Sequence, residues 1–204
     1  MSEVWNSAYN NNSSFFGETP SQFALSCYDK IKNVKKMLEL GCGQGRDTLF
    51  FASKGIEIEA LDYSPFGIEQ LQKLALEKNL SNLHASVFDA RNSLPFKDNE
   101  FDAVYSHMFF TMRFTWDELR AIVNEVKRVL KNNGFHFFSV RNRNDGVYGK
   151  GIKIDENIYE YKTFQVRFFS KEDVEKLAEG FRILEVREIV EGLKTLYLVS
   201  CVKP

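Results

Sequence analysis

The run Met37-Leu38-Glu39-Leu40-Gly41-Cys42-Gly43-Gln44-Gly45-Arg46-Asp47 constrains this chain more than any other. A short apolar strand enters three glycines at alternate positions, and a helical pattern follows. Alternating glycines let the backbone turn sharply and approach a ligand with no Cβ in the way. The helix start beyond them offers free N–H groups and the positive end of a dipole. About twenty residues on, Ile56 to Leu61 reads as a second strand ending in Asp62, an acid placed to accept hydrogen bonds from ribose hydroxyls. Strand, glycine turn, helix, strand and acid predict a nucleoside-binding βαβ unit.

A dinucleotide fingerprint, G-x-G-x-x-G, needs its third glycine one position later than Gly45, where Arg46 stands. Glu39 is also poorly suited to lie beside a pyrophosphate. A nicotinamide-dependent oxidoreductase is therefore the weakest reading. The pattern from Glu39 to Gly45, with Asp62 in register, resembles motif I of the class I methyltransferases that bind S-adenosyl-L-methionine. Later segments resemble the same family in order: Leu83 to Phe88 followed by Asp89-Ala90, Glu100 to Ser106 as a fourth strand, and a helix from Glu118 to Leu130. That helix leads through the turn Lys131-Asn132-Asn133-Gly134 into a fifth strand, Phe135 to Val140. Within the family, the glycine run and Phe168 to Asp173 look most like the tellurite-resistance-type, small-molecule branch.

The resemblance implies a Rossmann-like α/β sandwich with a seven-stranded, mostly parallel sheet of order 3-2-1-4-5-7-6, the last strand antiparallel. It implies S-adenosyl-L-methionine against Gly41, Gly43 and Gly45, with Asp62 on the ribose and Asp89 and Ala90 near adenine. Tyr63 is expected to flank the adenine ring, and Glu39 and Ser106 to belong to the cofactor-binding set. Trp5 and Tyr9 are four apart and can share a helical face. They belong either to a frayed tail or, as the family suggests, to an arm over the cofactor.

With 204 residues, the chain suits one domain, 1–204, with residues 1–35 as the arm. A 44% apolar share excludes an intrinsically disordered chain. A formal net charge of −1 supplies no field toward nucleic acid or anionic lipid. No apolar run approaches the roughly 20 residues of a membrane span, and Met1 to Asn12 lacks a signal-peptide core. Cys27, Cys42 and Cys201 are odd in number and scattered, which indicates neither zinc nor a disulfide frame and suits the cytoplasm. Cys42 lies in the glycine turn with nothing basic adjoining it, so it is not read as a nucleophile. No metal is expected, and the chain is expected to be a monomer or homodimer.

Strands alternating with helices predict a parallel sheet covered on both faces. Ser64-Pro65 caps one helix, and Phe181 to Val190 and Leu193 to Val202 form a terminal hairpin. The connection at 141–168 is too long for a plain loop and leaves the ligand edge of the sheet. It is expected to be an acceptor-side insertion, in which Arg141 and Arg143 either hold an anionic acceptor or are simply solvated.

S-adenosylmethionine carries an activated methyl, so positioning can supply most of the catalysis. A soft nucleophile such as a thiol or metalloid needs no base, whereas an alcohol or phenol does. His107, just after strand four, is either that base or a hydrogen-bonded structural histidine. His84 and His136 lie inside strands and are expected to be packed or surface groups. Met108-Phe109-Phe110, with Met112 and Phe114, lines an apolar acceptor pocket or belongs to the core. Arg46 and Asp47 are expected to be a cap and a surface charge, with Arg46 near a carboxylate-bearing cofactor as the alternative. DNA methylation is disfavoured, since Ser106-His107-Met108-Phe109 lacks the Pro-Pro-aromatic run of base-directed enzymes. Transfer to a small molecule is expected. The alternatives are transfer to tRNA or protein, for which Lys30, Lys32, Lys35 and Lys36 offer a basic patch, and cofactor binding without turnover.

Overall fold

A computed structural model describes residues 2–204. The chain runs α1 (Ser2–Asn11), α2 (Gln22–Tyr28), β1 (Lys36–Leu40), α3 (Arg46–Ser53), β2 (Glu57–Asp62), α4 (Pro65–Glu77) and β3 (Leu83–Val87). It continues as β4 (Phe101–His107), α5 (Trp116–Val129), β5 (Leu130–Arg141), β6 (Ile152–Asp155), β7 (Ile158–Tyr161) and β8 (Phe164–Arg167). Last come α6 (Lys171–Leu177), β9 (Arg182–Glu191) and β10 (Lys194–Val202). The main sheet has seven strands in the order β3-β2-β1-β4-β5-β10-β9. The β1–β2, β1–β4, β2–β3 and β4–β5 pairs are parallel, while β10 runs antiparallel to both β5 and β9. This is the expected Rossmann-like order, with β10 and β9 standing where the expectation had strands 7 and 6.

The central strands are apolar on both faces because helices cover both. Leu38, Leu40, Val104, Phe138 and Val140 join α5 and α6 on one side, and Met37, Ile58, Ala103, Tyr105 and Phe137 join α2, α3 and α4 on the other. Two-residue alternation thus sends Ser106 toward the α5 side and His107 toward the α3 side. Each fully buried phenylalanine among them stabilises the fold by roughly 1.5–3 kcal/mol relative to an exposed one. Helix starts are set locally: Ser64 accepts the Gly67 N–H ahead of α4, and Thr115 with Glu118 forms a capping box for α5.

One segment departs from the sequence expectation. Lys131 to Gly134 lies within β5 as a bulge, because Phe101 faces Leu130 while Ala103 faces Phe135. The segment 141–168 builds its own antiparallel sheet, β6-β7-β8, anchored where the Phe169 N–H bonds to the Arg141 carbonyl.

Candidate active site

The glycine turn joins β1 to α3 at the carboxyl end of the sheet. Gly41, Gly43 and Gly45 have φ of 74°, 54° and 86°, a left-handed conformation that costs other residues energy. Space is equally restrictive. A Cβ on Gly41 would come within 2.8 Å of Phe109 Cδ2, and one on Gly43 within 2.7 Å of Tyr9 Oη. A Cβ on Gly45 would meet Leu71 Cδ1 at 2.2 Å. The first two glycines therefore bring the turn against the cavity, whereas Gly45 lets α4 pack beneath it.

A buried carboxyl, Glu39, and a half-buried one, Asp62, flank the turn. Asp62 Oδ2 accepts the Gly43 N–H at 2.8 Å, and its Oδ1 accepts the Ser64 N–H at 2.8 Å. Burial raises its pKa against these bonds, and each oxygen keeps a lone pair for a ligand hydroxyl. Burial, reinforced by Asp47, pushes the Glu39 carboxyl up to about 8. Its Oε2 is enclosed without a hydrogen-bond partner. Orphaned buried oxygens of this kind fit a ligand that brings N–H or O–H donors.

Further along the edge, Asp89 is gripped by the Arg91 guanidinium, which holds it below the usual carboxylate range. The same guanidinium lies 5.7 Å from the centre of the Tyr63 ring, which is 41% exposed. From the opposite side, α1 brings Tyr9 and Trp5 to the cavity, their ring centres 5.5 Å apart. Two residues of the glycine turn fasten the arm. Gln44 accepts the Phe15 N–H at 2.9 Å and donates to the Asn12 carbonyl at 2.8 Å, and Arg46 donates to the Phe16 carbonyl at 3.1 Å.

His107 ends β4 on the cavity wall. Its Nδ1 is 2.7 Å from Ser139 Oγ, and its Nε2 lies 3.6 Å from Glu191 Oε1, an ion-pair distance beyond hydrogen-bond range. Arg46 Nη1 stands 3.4 Å from the same Glu191 oxygen. Asp47 is not the surface charge its position suggested. It is buried and accepts from the Ser21 N–H, the Ser21 hydroxyl and the Tyr105 hydroxyl at 2.7–2.8 Å. Burial pushes its carboxyl up, but His107, Arg46 and these hydrogen bonds outweigh that and hold it low.

One cavity thus gathers Trp5, Tyr9, Glu39, Gly41, Gly43, Asp62, Tyr63, Asp89, Ala90 and His107. Gly45 and Ser106 lie outside its wall: Gly45 faces Leu71, and strand alternation turns the fully buried Ser106 toward α5. The apolar run after β4 divides, with Met108, Phe109, Met112 and Phe114 on the cavity and Phe110 in the core. Of the other histidines, His84 is exposed, and His136 is buried among Phe110, Phe138 and Phe181. Sequence reasoning missed Phe16, Phe88 and Arg91 on the wall and Glu191 behind His107. Among the described residues, no cluster of His, Cys, Asp or Glu is arranged to hold a metal, and no helix is long and apolar enough to cross a membrane.

Comparison with known proteins agrees with this geometry. Residues 37–134 match the family described as "Methyltransferase domain". The chloroplastic tocopherol O-methyltransferase of Arabidopsis thaliana is 35% identical over 81 residues, which are 38% of this chain and 23% of that protein. The probable S-adenosyl-L-methionine-dependent methyltransferase TehB of Haemophilus influenzae is 26% identical over 118 residues, covering 58% and 40%. This chain therefore spans less than two thirds of the length of these relatives. Among solved structures, a SAM-dependent methyltransferase from Methanosarcina mazei superposes with a TM-score of 0.77 at 21% identity, covering 87% of this chain and 96% of that one. Domain match, relatives and fold together make the chain similar to the class I S-adenosylmethionine-dependent methyltransferases, TehB among them.

Proposed function

We propose that this chain transfers a methyl group from S-adenosylmethionine to a small-molecule acceptor in the cytoplasm, as a single domain over 1–204. The residues present suit the cofactor. Gly41 and Gly43 put a turn without side chains on the cavity wall, packed against Phe109 and Tyr9, the orphaned Glu39 oxygen suits an amino group, and Asp62 suits the ribose hydroxyls. Asp89, Ala90 and Tyr63 serve the adenine end, and Trp5 and Tyr9 cover the site from the arm at 1–35. The cofactor supplies a methyl activated on a sulfonium. The chain's own work is to align the acceptor, exclude water and accept a proton where one must leave.

The observation that carries the small-molecule reading is the contact between Trp5 and Phe164, whose ring centres are 4.9 Å apart. Trp5 belongs to the cavity wall, and Phe164 belongs to β8, so the arm and the insertion at 141–168 meet beside the site. An acceptor beneath such a cover must be small; none of the residues lining the cavity comes from 141–168, so the insertion acts on the site through its contact with the arm. The basic patch gives little support to a tRNA or protein acceptor, because Lys30 pairs with Glu185, and Lys36 with Glu57 and Glu100.

Calorimetry with S-adenosylmethionine and with NAD, followed by assay of S-adenosylhomocysteine release, tests the reading. Binding of the first and turnover with a thiol, phenol, amine, tellurite or selenite are expected. Binding of NAD alone sinks the cofactor assignment. Turnover with total tRNA or protein extract but with no small molecule sinks the acceptor assignment.

A further inference from the structure

Strand β8 holds both walls of the cavity, although none of its residues lines it. Phe164, at its start, packs beside Trp5 with ring centres 4.9 Å apart. Trp5 meets Tyr9 at 5.5 Å, and the Tyr9 hydroxyl closes the space over Gly43. Arg167, at the other end of the strand, donates to the Phe114 carbonyl from Nη2 at 2.8 Å and from Nε at 3.2 Å. The Phe114 ring meets Phe109 at 5.2 Å, and Phe109 covers Gly41. Two aromatic chains thus leave one short strand and end on the two glycines that carry the turn along the cavity wall.

Arg167 is not the least costly donor for a carbonyl. It is only 5% exposed, and burial lowers its pKa. The acids that face it, Asp155, Asp173 and Glu156, oppose that shift through space, but Asp173 is bonded to Arg143 instead. Burying a cation without a paired carboxylate costs free energy that a neutral amide donor would not incur. What the guanidinium adds is a rigid planar fork, which fixes the carbonyl in direction as well as distance, and a flat face for the Trp116 ring at 5.5 Å. The turn before β8 is strained too. Lys162 and Thr163 both have left-handed φ, 49° and 71°, which a β-branched residue rarely adopts. Such strain persists where surrounding contacts over-determine the geometry. Here it delivers Phe164 to the arm, while Gln165 accepts from Arg113 at 3.1 Å on the acceptor side.

We propose, building on the methyltransferase reading, that Arg167 is a positioning residue: by fixing the Phe114 carbonyl to β8, it makes the arm over the cofactor and the apolar wall at 108–114 one braced unit. Loosening the wall then loosens the arm, and the reverse, because both lean on the same strand. The glycine turn is held from both sides only when both are in place. Arg167 itself lies outside the cavity wall. It acts through Phe114 and Phe109 on one side, and along β8 through Phe164 and Trp5 on the other.

The test follows amide hydrogen exchange of the full chain by mass spectrometry, with S-adenosylhomocysteine as the binding probe. Arg167→Met keeps packing against Trp116 and removes the donors. It should speed exchange in α1 and at 108–114 together, and weaken S-adenosylhomocysteine binding roughly three- to tenfold. Arg167→Lys, which restores one donor, should recover part of both effects. A purely structural Arg167 would lower the unfolding midpoint but leave α1 exchange and probe affinity as in wild type, and that result overturns the proposal. Faster exchange at 108–114 with α1 unchanged overturns it as well. Should Arg167→Met not fold, Phe164→Ala, at a half-buried site, carries the test from the other end. Releasing the arm there should speed exchange at 108–114, and an unchanged rate overturns the proposal. Exchange in the free chain needs no ligand. Failure of the wild-type chain to bind S-adenosylhomocysteine would therefore remove the methyltransferase reading, while exchange still decides the bracing.

Discussion

Gln44 holds Phe15 to the glycine turn, its Oε1 accepting the Phe15 N–H at 2.9 Å across 29 positions of the chain. The same carboxamide donates to the Asn12 carbonyl and to Gln70, so one side chain between two glycines ties together the arm, the turn and α4. Arm closure and cofactor contact therefore share a residue. Gln44→Ala removes the arm's fastening while leaving the backbone turn unaltered. Each lost hydrogen bond is worth about 1 kcal/mol, so affinity for S-adenosylmethionine should fall roughly five- to thirtyfold. Calorimetry checks this, and unchanged affinity would separate the arm from cofactor binding.

The packing role of Gly45 gives a second expectation. Gly45→Ala places a methyl where Leu71 Cδ1 already stands, on a backbone at φ 86°. Strain and overpacking together should cost about 2–4 kcal/mol. Leu71→Ala in the same chain should recover part of that loss, because the clash is with this one side chain. Urea unfolding of the two single variants and the double variant measures the coupling. Strict additivity would contradict the contact.

Asp47 anchors α2 to the sheet from below the site. Its carboxylate takes three hydrogen bonds, from Ser21 twice and from Tyr105. Asp47→Ala strands these donors in the interior and should destabilise the fold by about 3 kcal/mol. Its folded pKa is depressed, so its contribution is present above the unfolded value and is lost as pH falls through the folded one. Denaturation of the variant should therefore lose part of the wild-type acid sensitivity. A wild-type-like unfolding midpoint in Asp47→Ala would show that the network adds nothing.

The fold is legible in the sequence where the determining contacts are local. The βαβ unit announces itself because turn, helix start and acid lie within one short stretch, and the Ser64-Pro65 cap acts on the next few residues. Asp47 misled for the opposite reason: the Ser21 and Tyr105 hydroxyls that bury it are 26 and 58 positions away, beyond any spacing argument. Glu191 was likewise invisible, since the 145 positions separating it from Arg46 close only when β9 folds beside the sheet. Lys131 to Gly134 has real turn chemistry, with Asn133 at φ 62°. Its backbone bonds to Lys203 nevertheless keep it in the sheet as a bulge. The pattern within 141–168 showed that structure was needed there but not which strands would pair, because so short a sheet depends on what it rests against.

His136 carries the last prediction. It is fully buried on β5 among Phe110, Phe138 and Phe181, and neither ring nitrogen has a hydrogen-bond partner. Burial lowers its pKa to about 3, against about 6.5 for an unfolded histidine. Between those values the unfolded chain binds the extra proton, so stability rises with pH across that window. The contribution is complete above the unfolded value and is lost by about 1.4 kcal/mol per pH unit as pH falls below it. By pH 5 that amounts to about 2 kcal/mol. His136→Leu removes both the titration and the orphaned N–H while nearly conserving volume. It should be about 1 kcal/mol more stable than wild type near neutrality and about 3 kcal/mol more stable at pH 5. Urea unfolding at the two pH values decides it. A constant difference between the proteins would show that His136 does not titrate on unfolding, and a less stable variant would show that the imidazole is held by a partner.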